Sequence, residues 1–286
     1  MIQRKKFELT WKNHSLGLGE KTRIMGILNV TPDSFSDGGF FYQGDQAVAQ
    51  GELMAAQGAD ILDIGGESTR PFSEAVSSAE EISRVIPVIA ELVKRISIPI
   101  SIDTRKAQVA KAALEAGASI VNDISALSFD PEMGRLIAAH QVPVILMHMQ
   151  GTPRDMQHRP HYQNLLEEVH LFFQERLEAA GRAGIPREMV LLDPGIGFGK
   201  NTAHNLTLIR RLDFFQKLNR PLVLGTSRKS FIGKITGQEP PDRDWGTAAT
   251  LTVGVGQGAH LVRVHNVAAA RDCLAVTDAI YQSAAP

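Results

Sequence analysis

The sequence of 286 residues predicts an α/β protein, a single (β/α)8 TIM barrel, and two features of its patterning lead to this prediction. Eight short apolar runs rich in β-branched residues recur along the chain, as is typical of parallel strands buried on both faces. Each run is followed by a segment with helical periodicity, and this alternation defines the fold class. One barrel uses a chain of this length, so we expect one domain over residues 1–286. The runs are Ile24–Asn29, Ile61–Gly65, Ile98–Asp103, Ile120–Asp123, Val144–His148, Val190–Asp193, Leu222–Thr226 and Leu261–Val264.

The segments between the runs contain start and stop signals of helices. Gln46–Gln57 and Lys106–Ala116 are each followed by a glycine, which commonly ends a helix. Asp130 and Pro131 together resemble an N-cap followed by proline at the first helical position. The other predicted helices are Ala79–Val93, Gln163–Ala180, Trp245–Gln257 and Val267–Ile280.

A doubly wound open sheet is the alternative architecture. Such a sheet usually carries Gly-x-Gly-x-x-Gly after its first strand, whereas Asn-Val-Thr-Pro-Asp stands here at residues 29–33. Eight evenly spaced strands also favour the barrel. Residues 1–20 precede the first run and fit a short β-hairpin that caps the barrel bottom.

Charge and composition narrow the possible partners. The 30 basic and 31 acidic side chains nearly cancel, which argues against nucleic acid and an anionic membrane as partners.

No apolar run approaches the roughly 18–20 residues of a membrane helix, and the charged N-terminus lacks a secretory pattern, so we expect a cytoplasmic protein. The one cysteine, Cys273, excludes an intrachain disulfide and a cysteine-cluster metal site, and we expect a buried or half-buried structural thiol.

Polar residues stand at the ends of all eight predicted strands. The loops after the strands of a barrel converge on one face, where the active sites of this fold lie. Lone buried charges are costly, so these residues need partners or a polar ligand. An ion pair or a capping role stays open for each residue alone, but the whole set indicates an active site. The set comprises Asn29, Asp63, Asp103, Asn122, Asp123, His148, Asp193, Ser227, Arg228, Lys229, Arg263, His265 and Asn266.

Three loops add detail. Thr31–Gly39 and Gly65–Pro71 are polar and contain glycine, which suits mobile lids over a substrate, although ordinary surface turns remain an alternative. Gly195–Lys200 is rich in glycine but lacks Walker spacing, and its Phe198 fits either an aromatic wall or a packed loop residue. No second histidine stands at metal-ligand spacing from His148, so we favour packing or pocket lining over zinc binding there.

Eight motifs, in order and over nearly the whole chain, resemble dihydropteroate synthases. No single motif is decisive, but the ordered set is very specific. The motifs are MGILNVTPDSFSDGG at Met25–Gly39, DIGGESTRP at Asp63–Pro71, SIDTRK at Ser101–Lys106, VNDIS at Val121–Ser125, MHMQGTP at Met147–Pro153, DPGIGFGK at Asp193–Lys200, GTSRKSFIG at Gly225–Gly233 and RVHNV at Arg263–Val267.

The resemblance implies a transferase of folate biosynthesis. The family joins (7,8-dihydropterin-6-yl)methyl diphosphate to 4-aminobenzoate, giving 7,8-dihydropteroate and diphosphate, with Mg²⁺ as cofactor. Sulfonamides, which resemble 4-aminobenzoate, are expected to inhibit it. A homodimer is also implied, through late helices such as Trp245–Gln257 and Val267–Ile280, although their apolar residues would equally pack onto the barrel.

The resemblance also implies which residues bind the pterin. The aminopyrimidine edge of a pterin presents N–H donors, and buried carboxylate and amide oxygens accept such donors well. The matching acceptors here are Asp103, Asn122 and Asp193. Asp63 is expected to support this pocket, and Lys229 to donate to the acceptor side of the pterin beside the 4-aminobenzoate.

The diphosphate needs cations and donors. Arg263 offers a planar fork that matches phosphate oxygens, and His265 adds a donor. Asn29 would complete the clamp as the ligand of Mg²⁺, an ion that commonly sits on substrate phosphates with few protein ligands. Lys229, Arg263 and His265 are thus the expected catalytic residues. The expected 4-aminobenzoate pocket comprises Thr69, Arg70, Pro71, Phe198 and Ser230.

The chain departs from the family pattern at Phe72, where we expect glycine. Phenylalanine adopts a positive φ only at a cost, so we expect another path for this loop.

Two other functions are alternatives to the synthase. A pterin-dependent methyltransferase barrel would need a corrinoid partner and would not need GTSRKSFIG with the Arg263–His265 pair. A catalytically silent pterin-binding paralogue is disfavoured because every motif residue except the one at 72 is present.

Overall fold

The structure, a computed structural model, describes residues 4–31, 40–68, 76–152 and 154–283, with backbone only at 40–43. A two-stranded hairpin is followed by parallel strands that alternate with helices. The strands are β1 (Phe7–Trp11), β2 (His14–Leu18), β3 (Arg23–Asn29), β4 (Ile61–Gly65), β5 (Ile100–Asp103), β6 (Ile120–Asp123), β7 (Val144–Met147), β8 (Val190–Asp193), β9 (Val223–Leu224) and β10 (Leu261–Val264). The helices are α1 (Phe40–Ala56), α2 (Ser78–Leu92), α3 (Ala107–Glu115), α4 (Met133–His140), α5 (Leu165–Arg182), α6 (Thr202–Arg210), α7 (Ser230–Thr236), α8 (Asp244–Gly256) and α9 (Val267–Gln282).

The strands β3 to β10 form one parallel sheet that closes on itself. Their order is β8-β7-β6-β5-β4-β3-β10-β9. A parallel bridge between Leu192 and Leu222 joins the two ends of this order. The Leu192 N–H also donates to the carbonyl of Pro221 at 3.0 Å. The predicted (β/α)8 barrel is confirmed.

The barrel strands are buried on both faces, which explains why they appear in the sequence as continuous apolar runs. Every residue of β4, β7 and β8 is buried. The side chains that face outward pack under the surrounding helices, where the rings of Phe173 and Phe215 meet edge to face at 5.9 Å. This double burial leaves the strand ends as the places where polar groups reach a common site.

The first and last residues of most predicted strands and helices agree with the observed ones within two residues, but two helices begin elsewhere. Helix α1 begins at Phe40, six residues before the predicted start. The predicted N-cap at Asp130 is wrong, because α4 begins at Met133. The Asp130 carboxylate accepts instead from the N–H of Ala107 at 2.8 Å, the first residue of α3, and from Glu132 N at 3.0 Å. A capping side chain therefore serves a helix that is distant in sequence.

The predicted N-terminal hairpin is confirmed, and it lies at the N-terminal end of the barrel. Strands β1 and β2 pair antiparallel. Arg4 binds the Asp278 carboxylate at 2.6 Å, and the ring of Phe7 stands edge-on to His260 at 5.2 Å. His260 directly precedes β10, so the hairpin covers the end of the barrel opposite the strand C-termini.

The bonds of His260 require its neutral form. Its Nδ1 accepts from the Leu222 N–H at 3.1 Å, and its Nε2 donates to the carbonyl of Lys5 at 2.9 Å. Burial is the main cause that lowers the pKa of His260 to about 4. The unfolded chain takes up this proton near its ordinary pKa of about 6.5, whereas the folded chain does not until about pH 4. The neutral His260 therefore contributes fully to the free energy of unfolding above about pH 6.5, and this contribution is lost as the pH falls toward 4.

We expect His260→Asn to flatten the acid side of the stability profile. Between pH 7.5 and pH 5 this histidine should account for about 2 kcal/mol of the lost free energy of unfolding, since each pKa unit corresponds to about 1.4 kcal/mol. Urea unfolding at both pH values measures it. His140→Gln, at the end of α4, is the control and should keep the wild-type difference. An unchanged difference in His260→Asn would contradict the assignment.

Two smaller findings complete the fold. Cys273 is half-buried between α8 and α9, with its Sγ 3.5 Å from Thr252 Oγ1, which agrees with the expected structural thiol. No helix within the described residues has both the length and the apolar content to cross a membrane.

Candidate active site

Arg263 lies between the buried carboxylate of Asp63 and the largely buried carboxylate of Asp103 at the C-terminal end of the barrel. Its Nε donates to Asp63 Oδ2 at 2.6 Å, and its Nη2 donates to Asp103 Oδ2 at 2.7 Å. Asn122 Nδ2 also donates to Asp63 Oδ2, at 3.0 Å. Arg263, Asp63, Asp103 and Asn122 lie on β10, β4, β5 and β6, respectively. The parallel topology brings these strand ends together, although Arg263 is 200 residues from Asp63 in sequence.

Each of the two carboxylates keeps one oxygen without a partner among the described residues. These atoms, Asp63 Oδ1 and Asp103 Oδ1, are buried. Burial, the largest cause, raises the pKa of Asp103 to about 7 against the opposing effect of Arg263. Unpartnered buried acceptors are costly in a folded protein, and at a barrel end they indicate that a ligand with donor groups belongs there.

Asp193, the last residue of β8, lies at the same end of the barrel. Its Oδ1 accepts from the Gly195 N–H at 2.7 Å. Burial raises the pKa of Asp193, while the Gly195 bond and the nearby Lys229 and Arg263 lower it. The Asp193 carboxylate therefore accepts a hydrogen bond from its own loop, and Lys229 and Arg263 partly compensate its negative charge.

Lys229 and Phe198 form the next part of the site. The Nζ of Lys229 lies 4.1 Å from the ring centroid of Phe198, a cation–π contact. The pKa of Lys229 is lowered to about 8, mainly by burial and then by Arg263, against the opposing effect of Asp193 and Asp103. The Phe198 ring thus contacts the Lys229 amine, and it also packs in a buried apolar cluster with Ile124, Met147 and Met156. Ser230 follows as the exposed first residue of α7.

His265 is held by the loop that follows β9. Its Nδ1 lies 2.9 Å from Ser227 Oγ, and its backbone N–H donates to the same oxygen at 3.1 Å. Asn29, partly exposed, ends β3 and pairs in register with Gly65 of β4. Both residues lie at the C-terminal end of the barrel.

Part of the prediction falls outside the described residues. This applies to Thr69, Arg70, Pro71 and Phe72 of the second loop and to residues 32–39 of the first. Within the described ranges no group of three His, Cys, Asp or Glu side chains could hold a metal ion. A protein-only metal cage is therefore not present in this part of the chain.

Lys200 is a buried residue whose importance the sequence did not reveal. Its Nζ contacts His148 Nδ1 at 2.9 Å and donates to the Phe198 carbonyl at 2.9 Å and the His148 carbonyl at 3.3 Å. Burial lowers the pKa of Lys200 to about 7. His148 packs its ring edge-on to Phe172 at 4.8 Å, as the packing interpretation requires. The only sequence signal was a lysine that ends a glycine-rich loop.

Lys106 is a second buried cation that the sequence did not single out. It donates to Glu81 Oε2 at 2.7 Å, Glu67 Oε2 at 3.0 Å and the carbonyl of Val76 at 2.8 Å. Glu67 and Val76 flank residues 69–75. Lys106 therefore joins the two flanks of the second loop to α2.

Gly195 allows the loop after β8 to lie against the loop after β7. It has φ of 67°, a left-handed conformation that favours glycine, and an added Cβ would overlap the carbonyl oxygen of His148. The N–H of Gly195 also donates to the carboxylate of Asp193, two residues earlier. A side chain here would disturb the site and the fold together.

We expect Gly195→Ala to destabilise the protein by about 2–4 kcal/mol, from left-handed backbone strain and from overlap with His148. Denaturant unfolding measures this. Gly181→Ala is the matched control, since Gly181 lies in α5 with open space around it, and it should stabilise by about 0.5–1 kcal/mol. Equal stabilities for the two variants would contradict the proposed close approach.

The fold and the site together define an α/β-barrel enzyme with a binding site for a polar small molecule. Comparison with known proteins narrows this class. A family described as pterin binding enzyme matches residues 25–265. Dihydropteroate synthase from Synechocystis sp. is 48% identical over 265 residues, which covers 92% of each chain.

Two solved structures are similar throughout. Dihydropteroate synthase from Yersinia pestis, in a complex with a sulfonamide drug, has a TM-score of 0.91 at 41% identity and covers 97% of this chain and 100% of its own. The enzyme from Xanthomonas albilineans with 4-aminobenzoic acid has a TM-score of 0.91 at 45% identity, covering 98% and 100%. The chain belongs to the pterin-binding enzyme family and, within it, to the dihydropteroate synthases.

Proposed function

We propose that the chain is a transferase that joins (7,8-dihydropterin-6-yl)methyl diphosphate to 4-aminobenzoate and releases 7,8-dihydropteroate and diphosphate. Membership of the family supports this reaction. The observation that carries it is the pair of buried, unpartnered oxygens, Asp63 Oδ1 and Asp103 Oδ1, beside Arg263. The donors of an aminopyrimidine edge are the kind of groups that such acceptors lack.

The pterin would lie over Asp103, Asn122 and Asp193, with Lys229 at its acceptor side. Asp63 would act through Arg263 and Asn122, since its Oδ2 accepts from both. In the ligand-free site, ion pairs with the neighbouring cations stabilise the negative charge of these carboxylates. A ligand that brings N–H donors would satisfy the remaining oxygens.

The diphosphate would lie toward Arg263, His265 and Asn29. Arg263 uses Nε and Nη2 for the carboxylates, and its side chain remains 20% exposed, so the guanidinium can also face a ligand. Mg²⁺ fits this site only as an ion carried by the diphosphate with Asn29 as protein ligand, because the described residues offer no acidic cage. When bound, it would neutralise charge on the leaving group.

The transfer would break the bond between the methylene carbon and the diphosphate oxygen, with the electron pair leaving on the diphosphate. The amino nitrogen of 4-aminobenzoate then forms the new C–N bond and releases a proton. The electron-rich pterin favours a dissociative, cation-like route, and no covalent enzyme intermediate is needed. Arg263 and His265 would stabilise the departing charge.

The 4-aminobenzoate would bind against Phe198, Lys229 and Ser230. The contact of Lys229 with the Phe198 ring supports this placement, since it sets a cation beside an aromatic wall. Thr69, Arg70 and Pro71 stay predictions for the same pocket. Sulfonamides would compete at this position.

A homodimer would use the exposed apolar side chains of α8 and α9. Trp245 is 89% exposed, and Val276 and Ile280 are 62% and 59% exposed. Exposed large apolar side chains are candidates for such an interface. Sedimentation over a range of concentrations, on the wild type and on Trp245→Glu, tests this assembly.

The reaction is tested by diphosphate release from the pterin diphosphate with Mg²⁺, with and without 4-aminobenzoate. Release that depends on 4-aminobenzoate, with dihydropteroate formed, would support the synthase. Pterin binding without any release would instead indicate the silent paralogue, and Phe72→Gly would be the first reversion to try.

A further inference from the structure

Asp244, the first residue of α8, is hydrogen-bonded to two separate loops at the C-terminal end of the barrel. Its Oδ1 accepts from Arg228 Nε at 2.8 Å, and its Oδ2 accepts from Arg228 Nη2 at 3.0 Å. The same Oδ2 accepts from Asn266 Nδ2 at 2.8 Å. Arg228 lies in the loop between β9 and α7, and Asn266 lies in the loop between β10 and α9. One carboxylate therefore connects both loops.

Arg228 is held in an unfavourable backbone conformation. Its φ is 56°, a left-handed value that costs a non-glycine residue on the order of 1–2 kcal/mol. Its N–H donates to Thr247 Oγ1 at 3.1 Å, and its carbonyl accepts from Arg243 Nη1 at 3.1 Å. The backbone and the side chain of Arg228 are thus both fixed by residues at the start of α8. Such over-determined strain is typical of positions that serve a functional site.

Each connected residue is adjacent to a residue of the candidate site. Arg228 precedes Lys229, and Asn266 follows His265. Ser227 adds a direct link between the loops, since its Oγ contacts His265 Nδ1 at 2.9 Å. The contacts of Asp244 are therefore to the supports of two site residues.

We propose that Asp244 is a positioning residue that sets the separation of Lys229 and His265, so that one ligand meets both. The inference rests on the proposed function, in which Lys229 contacts the pterin and His265 contacts the diphosphate. A site that is already ordered binds the second part of a ligand without ordering a second loop. The pterin and the diphosphate would then reinforce each other's binding.

A purely structural role makes a different prediction. An aspartate in the first turn of α8 also stabilises the helix dipole, and its loss would then lower stability alone. The distinguishing quantity is the affinity gained from the diphosphate. It is the ratio of the dissociation constants of hydroxymethyl-dihydropterin and of its diphosphate ester, measured with Mg²⁺ and without 4-aminobenzoate.

We expect Asp244→Asn to reduce this gain about tenfold, because a displacement of about 1 Å in a binding group can cost that much or more. The dissociation constant of hydroxymethyl-dihydropterin should change less than about threefold. Arg228→Gly removes the ion pair and also accepts the positive φ, so it tests the same link without backbone strain. The double variant should lose no more than either single variant, since the two residues act as one unit.

Asp278→Asn is the matched control. It removes a second ion pair, with Arg4 at 2.6 Å, at the opposite end of the barrel, and it should lower stability without changing the diphosphate gain. A wild-type protein with no diphosphate gain would count against the proposed function itself. A normal wild-type gain that persists in both Asp244→Asn and Arg228→Gly would overturn the positioning role alone.

Discussion

Replacing Arg263 with methionine is expected to lower kcat/KM at least about a hundredfold and to destabilise the fold by about 3–5 kcal/mol. The first effect follows from the loss of the cation proposed to face the diphosphate. The second follows because Asp63 and Asp103, bound to Arg263 at 2.6 and 2.7 Å, would remain as buried carboxylates without it. Steady-state kinetics and urea unfolding measure the two effects separately.

Two variants separate activity from stability. Arg263→Met combined with Asp103→Asn should recover part of the lost stability, because one uncompensated charge is removed, while turnover stays low. Arg4→Met breaks a similarly buried ion pair at the far end of the barrel, and it should lose stability but keep normal turnover once folded. Turnover near the wild-type rate in Arg263→Met would refute the proposed clamp.

Replacing Asp193 with asparagine is expected to weaken pterin binding by roughly 30- to 150-fold, or about 2–3 kcal/mol. The carboxylate accepts from the Gly195 N–H at 2.7 Å, and its second oxygen is proposed to take a pterin donor. Asparagine keeps the shape, but it removes the charge and exchanges one acceptor for a donor. Calorimetric titration with hydroxymethyl-dihydropterin measures the change.

Asp123→Asn is the matched control for this prediction. Asp123 is also buried at a strand end, but its oxygens accept from Ser125 N at 2.8 Å and Leu127 N at 2.8 Å. The variant should therefore lose about 1–3 kcal/mol of stability through its own loop. Pterin affinity should stay close to that of the wild type. Equal losses of pterin affinity in both variants would show that the pocket lies elsewhere.

The location of the site could be predicted because it depends on topology. Polar residues that end parallel strands must meet at one end of a barrel, so Asp63, Asp103, Asp193 and Arg263 could be grouped from sequence alone. The pairing among them could not be predicted in the same way. Whether Arg263 meets a carboxylate or stays open depends on distances between side chains that are up to 200 residues apart.

Lys200 and Asp130 show the same limit. A lysine after a glycine-rich loop resembles an exposed cation in sequence, yet its amine is buried against His148 and Phe198. Asp130 has the local pattern of an N-cap, yet one oxygen of its carboxylate accepts from the first residue of a different helix. Local propensity could not identify His148 as a partner of Lys200, or Ala107 as a partner of Asp130, because both come from other parts of the chain.

By itself, the sequence determined the barrel, the end of the barrel that carries the site and the family to which the chain belongs. Alternation of apolar runs and helical segments, together with ordered motifs, is enough for these because each depends on short-range pattern. Only the tertiary structure decided that Arg263 joins two carboxylates and that Asp244 connects the loops of Lys229 and His265. Hydrogen bonds between distant residues depend on the packed arrangement of the strands and helices, which no local pattern records.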